Sequence, residues 1–377
     1  MSCSRADPAR EAAGTAPPAT RAGRFATPLG RRAASPPLPS PRPQRTVEAS
    51  HSTRLAHANG LARAVRPGRA ALLGVLLAAA ASQADAPVGV RAGPTRLVLP
   101  PSPRVLVFAP HPDDETIGAG GLIVRLVRRG APVRVVFVTN GDGFPQAVAQ
   151  DFHVRAPRDT DYLDFGEARR REAVAAAHHL GLHPGNLVFL GFPDGGLAQL
   201  WRDHWSRTNP YTSPYTKEDS PPAPDGAEYD GEDLTSAVAR QLRSFRPTVV
   251  VMPHPYDAHL DHAHTSYFVI EALDALQAAH VLPERILVLT YLVHDPLWPS
   301  AGGDRDRLAP PSSREIPDTL WTETDLAPAE LAAKEAALGA YRTQLPVLGN
   351  LLHRFCRPNE LYGRVKSRII DRIAEVH

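Results

Sequence analysis

The chain reads as an α/β protein built on a Rossmann-like, mostly parallel sheet with helices on both faces and a C-terminal helical extension. Three observations predict this. Short apolar runs alternate with helix-period segments from residue 104 onward. The runs are apolar at nearly every position, as strands covered on both faces are. Glycines stand where the helical segments should stop, at Gly130 and Gly181.

In chain order, the first strand falls at 104–109 and feeds a helix over 116–129. A second strand follows at 133–139. An Ala-rich helix covers 166–180, and a third strand 186–190. Then come a helix at 232–245, a strand at 248–252, a helix at 263–279 and a strand at 285–293. Helices are also expected at 330–344 and 364–376. Two long polar stretches, 140–165 and 198–231, interrupt the alternation. The second carries Trp201, Trp205, Tyr211, Tyr215 and Tyr229, as lids and substrate walls often do.

With 377 residues, 43% of them hydrophobic, the chain can bury a sizeable core, but it is not uniform. Residues 1–86 hold twelve Arg, no Lys and four acids, a net of +8, whereas the remainder is net acidic. The globular part has no basic stripe and no nucleic-acid motif, which sets nucleic acid aside as a partner. Residues 1–65 are rich in Ala, Pro, Arg and Ser without periodicity and read as a disordered tail. In 66–86 a basic flank precedes an apolar run at 70–81 and the small residues Ser82-Gln83-Ala84-Asp85-Ala86. That is the order of a secretory signal. The apolar run is shorter than the roughly 20 residues a membrane span needs, so no stable membrane span is expected. The signal implies a secreted or periplasmic protein, cytoplasmic if the segment is not used. A signal so far from Met1 implies that translation starts downstream, at a Leu or Val codon, because the next Met is Met252. Residues 87–377 form the expected globular domain. Its lone Cys356 allows neither an internal disulfide nor a cysteine metal site.

Two polar clusters follow apolar runs. Ala109-Pro110-His111-Pro112-Asp113-Asp114-Glu115 comes directly after Val105–Phe108, and His259-Leu260-Asp261-His262 comes soon after Val249–Met252. In open α/β sheets ligands bind beyond the carboxyl ends of the strands. A catalytic zinc keeps three protein ligands and one open position; Fe2+, Mn or Co suit the same donors less well. The water needs a base that is not a ligand, and the oxyanion a donor. The rigid Pro112 lets His111 and Asp114 turn to one point while Asp113 faces elsewhere. His262 can close the coordination, His259 can face the substrate, and Asp261 can orient a neighbouring imidazole. The register of the second cluster leaves out His254 and His264. His178 and His179 fit packing or surface roles. Gly118, Gly120 and Gly121 lack the Lys-Ser/Thr of a phosphate loop and fit close helix packing.

These residues resemble the PIG-L/LmbE family of metal-dependent N-acetylglucosamine-type deacetylases. Arg169-Arg170-Arg171-Glu172-Ala173 is similar to the family's Arg-x-x-Glu-Ala helix start. Phe189-Leu190-Gly191-Phe192-Pro193-Asp194-Gly195-Gly196-Leu197 is similar to its Leu-Gly-x-x-Asp-Gly segment. The resemblance covers about 104–292. It implies His111, Asp114 and His262 as zinc ligands and Asp113 as general base. It makes His259 the group that protonates the amine or steadies the oxyanion, with Asp261 beside it, and puts Arg169 and Asp194 on the sugar. The implied partner is an N-acetylated amino-sugar substrate. An amidase acting on another N-acyl compound, such as a thiol conjugate, and an inactive sugar-binding module are the competing readings. The sequence carries no signal of oligomeric state.

Overall fold

The computed structural model divides the chain into two units, 1–81 and 82–377. It describes residues 93–365 except 223–225, 297, 300–305, 312–315 and 317–318. The expected tail at 1–65, the signal-like segment at 66–86 and nearly all of the helix expected at 364–376 lie outside the described residues.

The elements are β1 (Thr95–Arg96), β2 (Val105–Ala109), α1 (Asp114–Arg128), β3 (Val133–Thr139), α2 (Pro145–Asp151), α3 (Asp159–His179), β4 (Leu187–Phe192), α4 (Leu197–Arg202), α5 (Gly231–Phe245), β5 (Val249–Pro253), α6 (Leu260–Ala278), β6 (Leu287–Tyr291), β7 (Thr319–Asp325), α7 (Pro328–Leu338), α8 (Leu345–His353) and β8 (Asn359–Val365). The strands form one sheet in the order β1-β7-β8-β6-β5-β2-β3-β4. From β6 to β4 all neighbours are parallel, with Val105 opposite Val133 on one side and Val249 on the other. Only β8 runs antiparallel, to β6 and to β7.

The alternation of side chains along β2 explains both layers. Val105, Val107 and Ala109 pack with α1, α3 and α7 through Ile117, Ala173, Ala176 and Leu338. Leu106 and Phe108 point the other way, to Leu234 and Val238 of α5 and Phe268 of α6. All five β2 residues are 0% exposed, so this strand is central and its apolar run needs no polar face. Burial of each large side chain stabilises the fold by about 1.5–3 kcal/mol.

The helices expected between 116 and 279 and the central strands are present, most with shifted ends. α3 starts seven residues before 166, where the Asp161 carboxylate accepts the Arg158 N–H at 2.9 Å and Tyr162 and Phe165 supply a buried face. The stretch 140–165 is therefore partly helical, α2 included. Gly130 and Gly181, with φ of +71° and +80°, end α1 and α3. The glycines of α1 serve close packing, as expected: a Cβ on Gly118 would come within 2.4 Å of the Tyr291 ring.

The C-terminal region differs from the all-helical expectation. It contributes β7 and β8 to the sheet; the helix expected at 330–344 is α7 alone, which already ends at Leu338, and α8 begins only at Leu345. β8 carries Glu360, a buried carboxylate inside a strand, which hides its period. Lys334 of α7 neutralises it: Nζ donates to Glu360 Oε1 and to the Ile117 carbonyl, each at 2.8 Å. The same carboxylate accepts the N–H groups of Gly121 and Leu122, at 2.8 and 2.9 Å, within α1. The element that presents Asp114 is thus tied from behind to α7 and β8.

Candidate metal and catalytic site

The carboxyl ends of β2, β5 and β6 bring the two polar clusters together. Asp114 is the first residue of α1, and its Oδ2 accepts the His111 main-chain N–H at 3.0 Å. His262 lies in the first turn of α6, which begins three residues earlier than the sequence pattern suggests, and His259 is its N-cap. The His259 Nδ1 accepts the Asp261 N–H at 3.2 Å.

His111, Asp114 and His262 are buried, and their donor atoms lie within 4.8 Å of one another, a group that could hold a metal ion. Asp114 Oδ2 stands 3.2 Å from His111 Nδ1 and 3.2 Å from His262 Nε2. Zinc bonds of about 2.0–2.1 Å at tetrahedral angles would separate ligand atoms by about 3.3 Å. His262 is 0% exposed, yet neither ring nitrogen has a hydrogen bond of acceptable geometry among the described residues. Its Nδ1 is 3.3 Å from Asp257 Oδ2 and its Nε2 faces Asp114, so the contacts are close but poorly directed. A fully buried imidazole without a bond is costly; a cation between Nε2 and Asp114 satisfies both. The N and O donors fit a first-row divalent metal. A second group, His111, His259 and Asp261, also meets within 4.8 Å.

The electrostatics follow from this crowding. Burial disfavours a charged ring at His111, but Asp194, with Asp114 and Asp261, outweighs it and holds the ring well above its ordinary pKa. Burial works the same way at His262, where Asp114 and Asp257 prevail and raise it to about 10. Asp114 is held well below the usual carboxylate range because His262 and His111 outweigh its burial. Asp113 is different: burial lifts it to about 8, with Arg169 pulling down and Asp114 pushing up. Burial, then His111 and His262, depress His259 to about 4. With Nδ1 occupied as an acceptor, neutral His259 carries its proton on Nε2.

Asp113 sits at φ 130°, in the left-handed region that a non-glycine residue enters at a cost of about 1–3 kcal/mol. It is held there from two sides. Glu115 Oε2 accepts its N–H at 3.2 Å, and the other oxygen, Oε1, accepts the Tyr341 hydroxyl at 2.5 Å. Arg169 donates to Asp113 Oδ2 at 3.2 Å, to the Pro112 carbonyl at 2.6 Å and to the Gly141 carbonyl at 2.8 Å. Arg169 and Asp194, expected on the sugar, are both buried and engaged with the site's own groups. Asp194 Oδ1 lies 3.0 Å from His111 Nε2, and Oδ2 accepts the Gly143 N–H at 2.6 Å. Asp261 Oδ2 lies 3.3 Å from His111 Nε2, and the same carboxylate accepts the N–H groups of Gly195 and Leu197.

Three participants escape the sequence reading. Asp257 backs His262 and accepts the His259 N–H at 3.0 Å. Its signal was an acid five residues before His262. His294 places its ring 4.7 Å from that of His262 and 5.0 Å from that of His259. It lies three residues beyond the end of β6, so a polar residue just past a strand was its signal. Tyr341, which supports Glu115, had no signal.

A model of the family described as PIG-L: GlcNAc-PI de-N-acetylase matches residues 106–273. The 1D-myo-inositol 2-acetamido-2-deoxy-alpha-D-glucopyranoside deacetylase of Segniliparus rotundus is 30% identical over 267 residues, 66% of this chain and 80% of that protein. This chain belongs to the PIG-L family. Another PIG-L relative, the deacetylase of the same name from Mycobacterium sp. (strain KMS), is 32% identical over 177 residues. That alignment takes in 46% of this chain and 51% of the relative, so the chain spans about half the length of this relative. Among solved structures, N,N'-diacetylchitobiose deacetylase from Pyrococcus horikoshii aligns over 66% of this chain and 75% of its own, with 18% identity and a TM-score of 0.41. No helix among the described residues is long and apolar enough to cross a membrane.

Proposed function

We propose that this PIG-L chain is a zinc-dependent hydrolase that removes the N-acetyl group from an N-acetylglucosamine-type sugar or glycoconjugate. One observation carries the reading: donor atoms of His111, Asp114 and His262, from segments about 150 residues apart, meet within 4.8 Å with Asp113 beside them. The deacetylases among its relatives support the substrate class.

His111, Asp114 and His262 would hold the cation, which would supply a Lewis acid for the amide carbonyl and lower the pKa of a water molecule. Asp113 takes the proton of the attacking water, its carboxylate aimed by Arg169 and its backbone fixed by Glu115. The Arg169 guanidinium favours the ionised form of Asp113, the form that accepts the proton. His259 presents its Nε2–H to the carbonyl oxygen as negative charge builds there. The C–N bond then breaks, and the proton held on Asp113 passes to the departing amine, giving acetate and the free amino sugar. Asp194 and Asp261 act on His111, and Arg169 on Asp113, so we read them as positioning residues and look elsewhere for the groups that grip the sugar. We also read 66–86 as an export signal on its order of residues; a mature N-terminus near residue 87 in protein from the native source tests that.

The decisive experiment strips metal from the protein, restores Zn2+, and scores acetate release from a panel of N-acetylglucosamine glycosides and N-acetyl thiol conjugates. Zinc-dependent release from the sugars is expected. Release from thiol conjugates alone, or from nothing, overturns the assignment.

A further inference from the structure

Two glutamates belong to the motifs of this site without being a metal ligand or the base. Glu115 is the last residue of the first polar cluster, and Glu172 follows Arg169 by three residues on α3. Both end on one turn. Residues 339–344 join α7 to α8, and there the Tyr341 hydroxyl donates to Glu115 Oε1 at 2.5 Å. Two residues on, the Thr343 N–H and hydroxyl donate to the two oxygens of Glu172, at 3.0 and 2.7 Å. The turn is itself tied down: the Tyr341 carbonyl accepts the N–H groups of Gln344 and Leu345, at 3.0 and 3.1 Å. Tyr341 is buried in the core that also holds Ile117 of α1 and Leu338 of α7. It lies beyond residue 273, where the family match ends.

Each glutamate bears on Asp113 from a different side. The buried Glu115 carboxylate has three neutral donors: the Asp113 N–H on Oε2, and the Tyr341 and Thr116 hydroxyls on Oε1. The bond from Asp113, at 3.2 Å, is the longest of the three. It has to hold a non-glycine residue at φ 130°. A hydrogen bond to a carboxylate is worth about as much as such a conformation costs, so this one contact decides whether Asp113 stays in place. Without the Tyr341 donor the carboxylate is free to turn, and its weakest bond gives first. Glu172 lies one turn along α3 from Arg169, whose guanidinium donates to Asp113 Oδ2 at 3.2 Å. The turn after α7 therefore reaches the Asp113 backbone through Glu115, and through Glu172 the helix that aims the Asp113 carboxylate.

We propose that the turn between α7 and α8 is a positioning element for the general base, with Tyr341 and Thr343 as positioning residues that act on Asp113 through Glu115 and through Glu172 and Arg169. This inference rests on the deacetylase reading above, in which Asp113 is the base. Neither residue touches substrate or metal. Their contribution is to keep one carboxylate oxygen at the place where the attacking water loses its proton, and a catalytic group displaced by about 1 Å can cost on the order of 10²-fold in rate.

The test is a double-mutant cycle in the zinc-loaded full-length protein, on the N-acetylglucosamine glycoside that the wild type turns over fastest. Tyr341→Phe should bind zinc in full and lower kcat by about tenfold, with KM held within about twofold. In the Asp113→Ala background the same change should cost less than about twofold, because the group it positions is gone. A second readout needs no activity. In the metal-free protein the Asp113 amide of Tyr341→Phe should exchange its hydrogen at least about tenfold faster than in the wild type, with the Leu122 amide of α1 unchanged. Equal losses of kcat in the two backgrounds, an unchanged kcat, or faster exchange all along α1 would each mean ordinary core packing and overturn the proposal. If Tyr341→Phe does not fold, the cycle is run on Thr343→Val, with Thr343→Ser expected to recover the wild-type rate. A wild type that releases acetate but shows additive losses sinks this inference alone; one inactive on every N-acetyl sugar sinks the deacetylase reading and this with it.

Discussion

Asp257 Oδ2 lies 3.3 Å from His262 Nδ1, on the opposite side of the ring from Asp114, and receives the N–H groups of Val293 at 2.9 Å and His294 at 3.1 Å. A carboxylate anchored by the loop after β6 therefore fixes which nitrogen of His262 faces the metal position. Such partners typically contribute 10–100-fold to metal affinity. Asp257→Asn should weaken zinc binding by about that factor, read by competition with a chromophoric chelator. Unchanged affinity would separate Asp257 from the metal.

Asp113 and His262 should fail in different ways. Asp113→Ala should keep stoichiometric zinc and lose acetate release by about 10²-fold or more, the usual worth of a general base. His262→Ala should lose the zinc itself. Metal analysis beside an activity assay separates the two; near-native turnover by Asp113→Ala would remove Asp113 from the chemistry.

Arg169 is 3% exposed and joins three acceptors from two loops. Its loss leaves Asp113 buried without its cation, a change that costs about 3–5 kcal/mol. Arg169→Met should therefore lower the urea midpoint substantially. A variant as stable as wild type would return Arg169 to the substrate.

His254 makes stability depend on acidity. Its Nδ1 accepts the Tyr256 N–H at 3.1 Å and its Nε2 faces Thr319 Oγ1 at 3.0 Å, so the ring is neutral, and burial, partly offset by Asp257, lowers it to about 4. Between pH 6.5 and 4 the unfolded chain takes up a proton that the native ring refuses. Stability is full above pH 6.5 and falls as pH drops to about 4, by on the order of 3 kcal/mol. His254→Gln, which keeps a donor and an acceptor, should flatten the fall in a pH series of denaturation midpoints. Identical slopes would refute it.

How much of this was legible depended on whether the signal was local. β2, β3 and β5 announce themselves because a central parallel strand is apolar throughout, and β3 matches the expected bounds of 133–139. The clustering of His111, Asp114 and His262 was legible because polar residues at the ends of buried strands have few structural reasons to be there. β7 and β8 were hidden because Glu360 reads as surface until Lys334, 26 residues away, neutralises it. The resemblance puts Arg169 on the sugar because nothing nearby in sequence shows that Pro112, Asp113 and Gly141 converge on it.

The salt link behind α1 sets a boundary for protein engineering. Lys334 and Glu360 both fall beyond residue 273, where the family match ends, yet they hold backbone groups of the helix that offers Asp114. A shortened version trimmed to the shared family segment would carry every proposed metal ligand and still leave that helix unbraced. Anyone transplanting this centre into another scaffold has to bring the rear support along with the front.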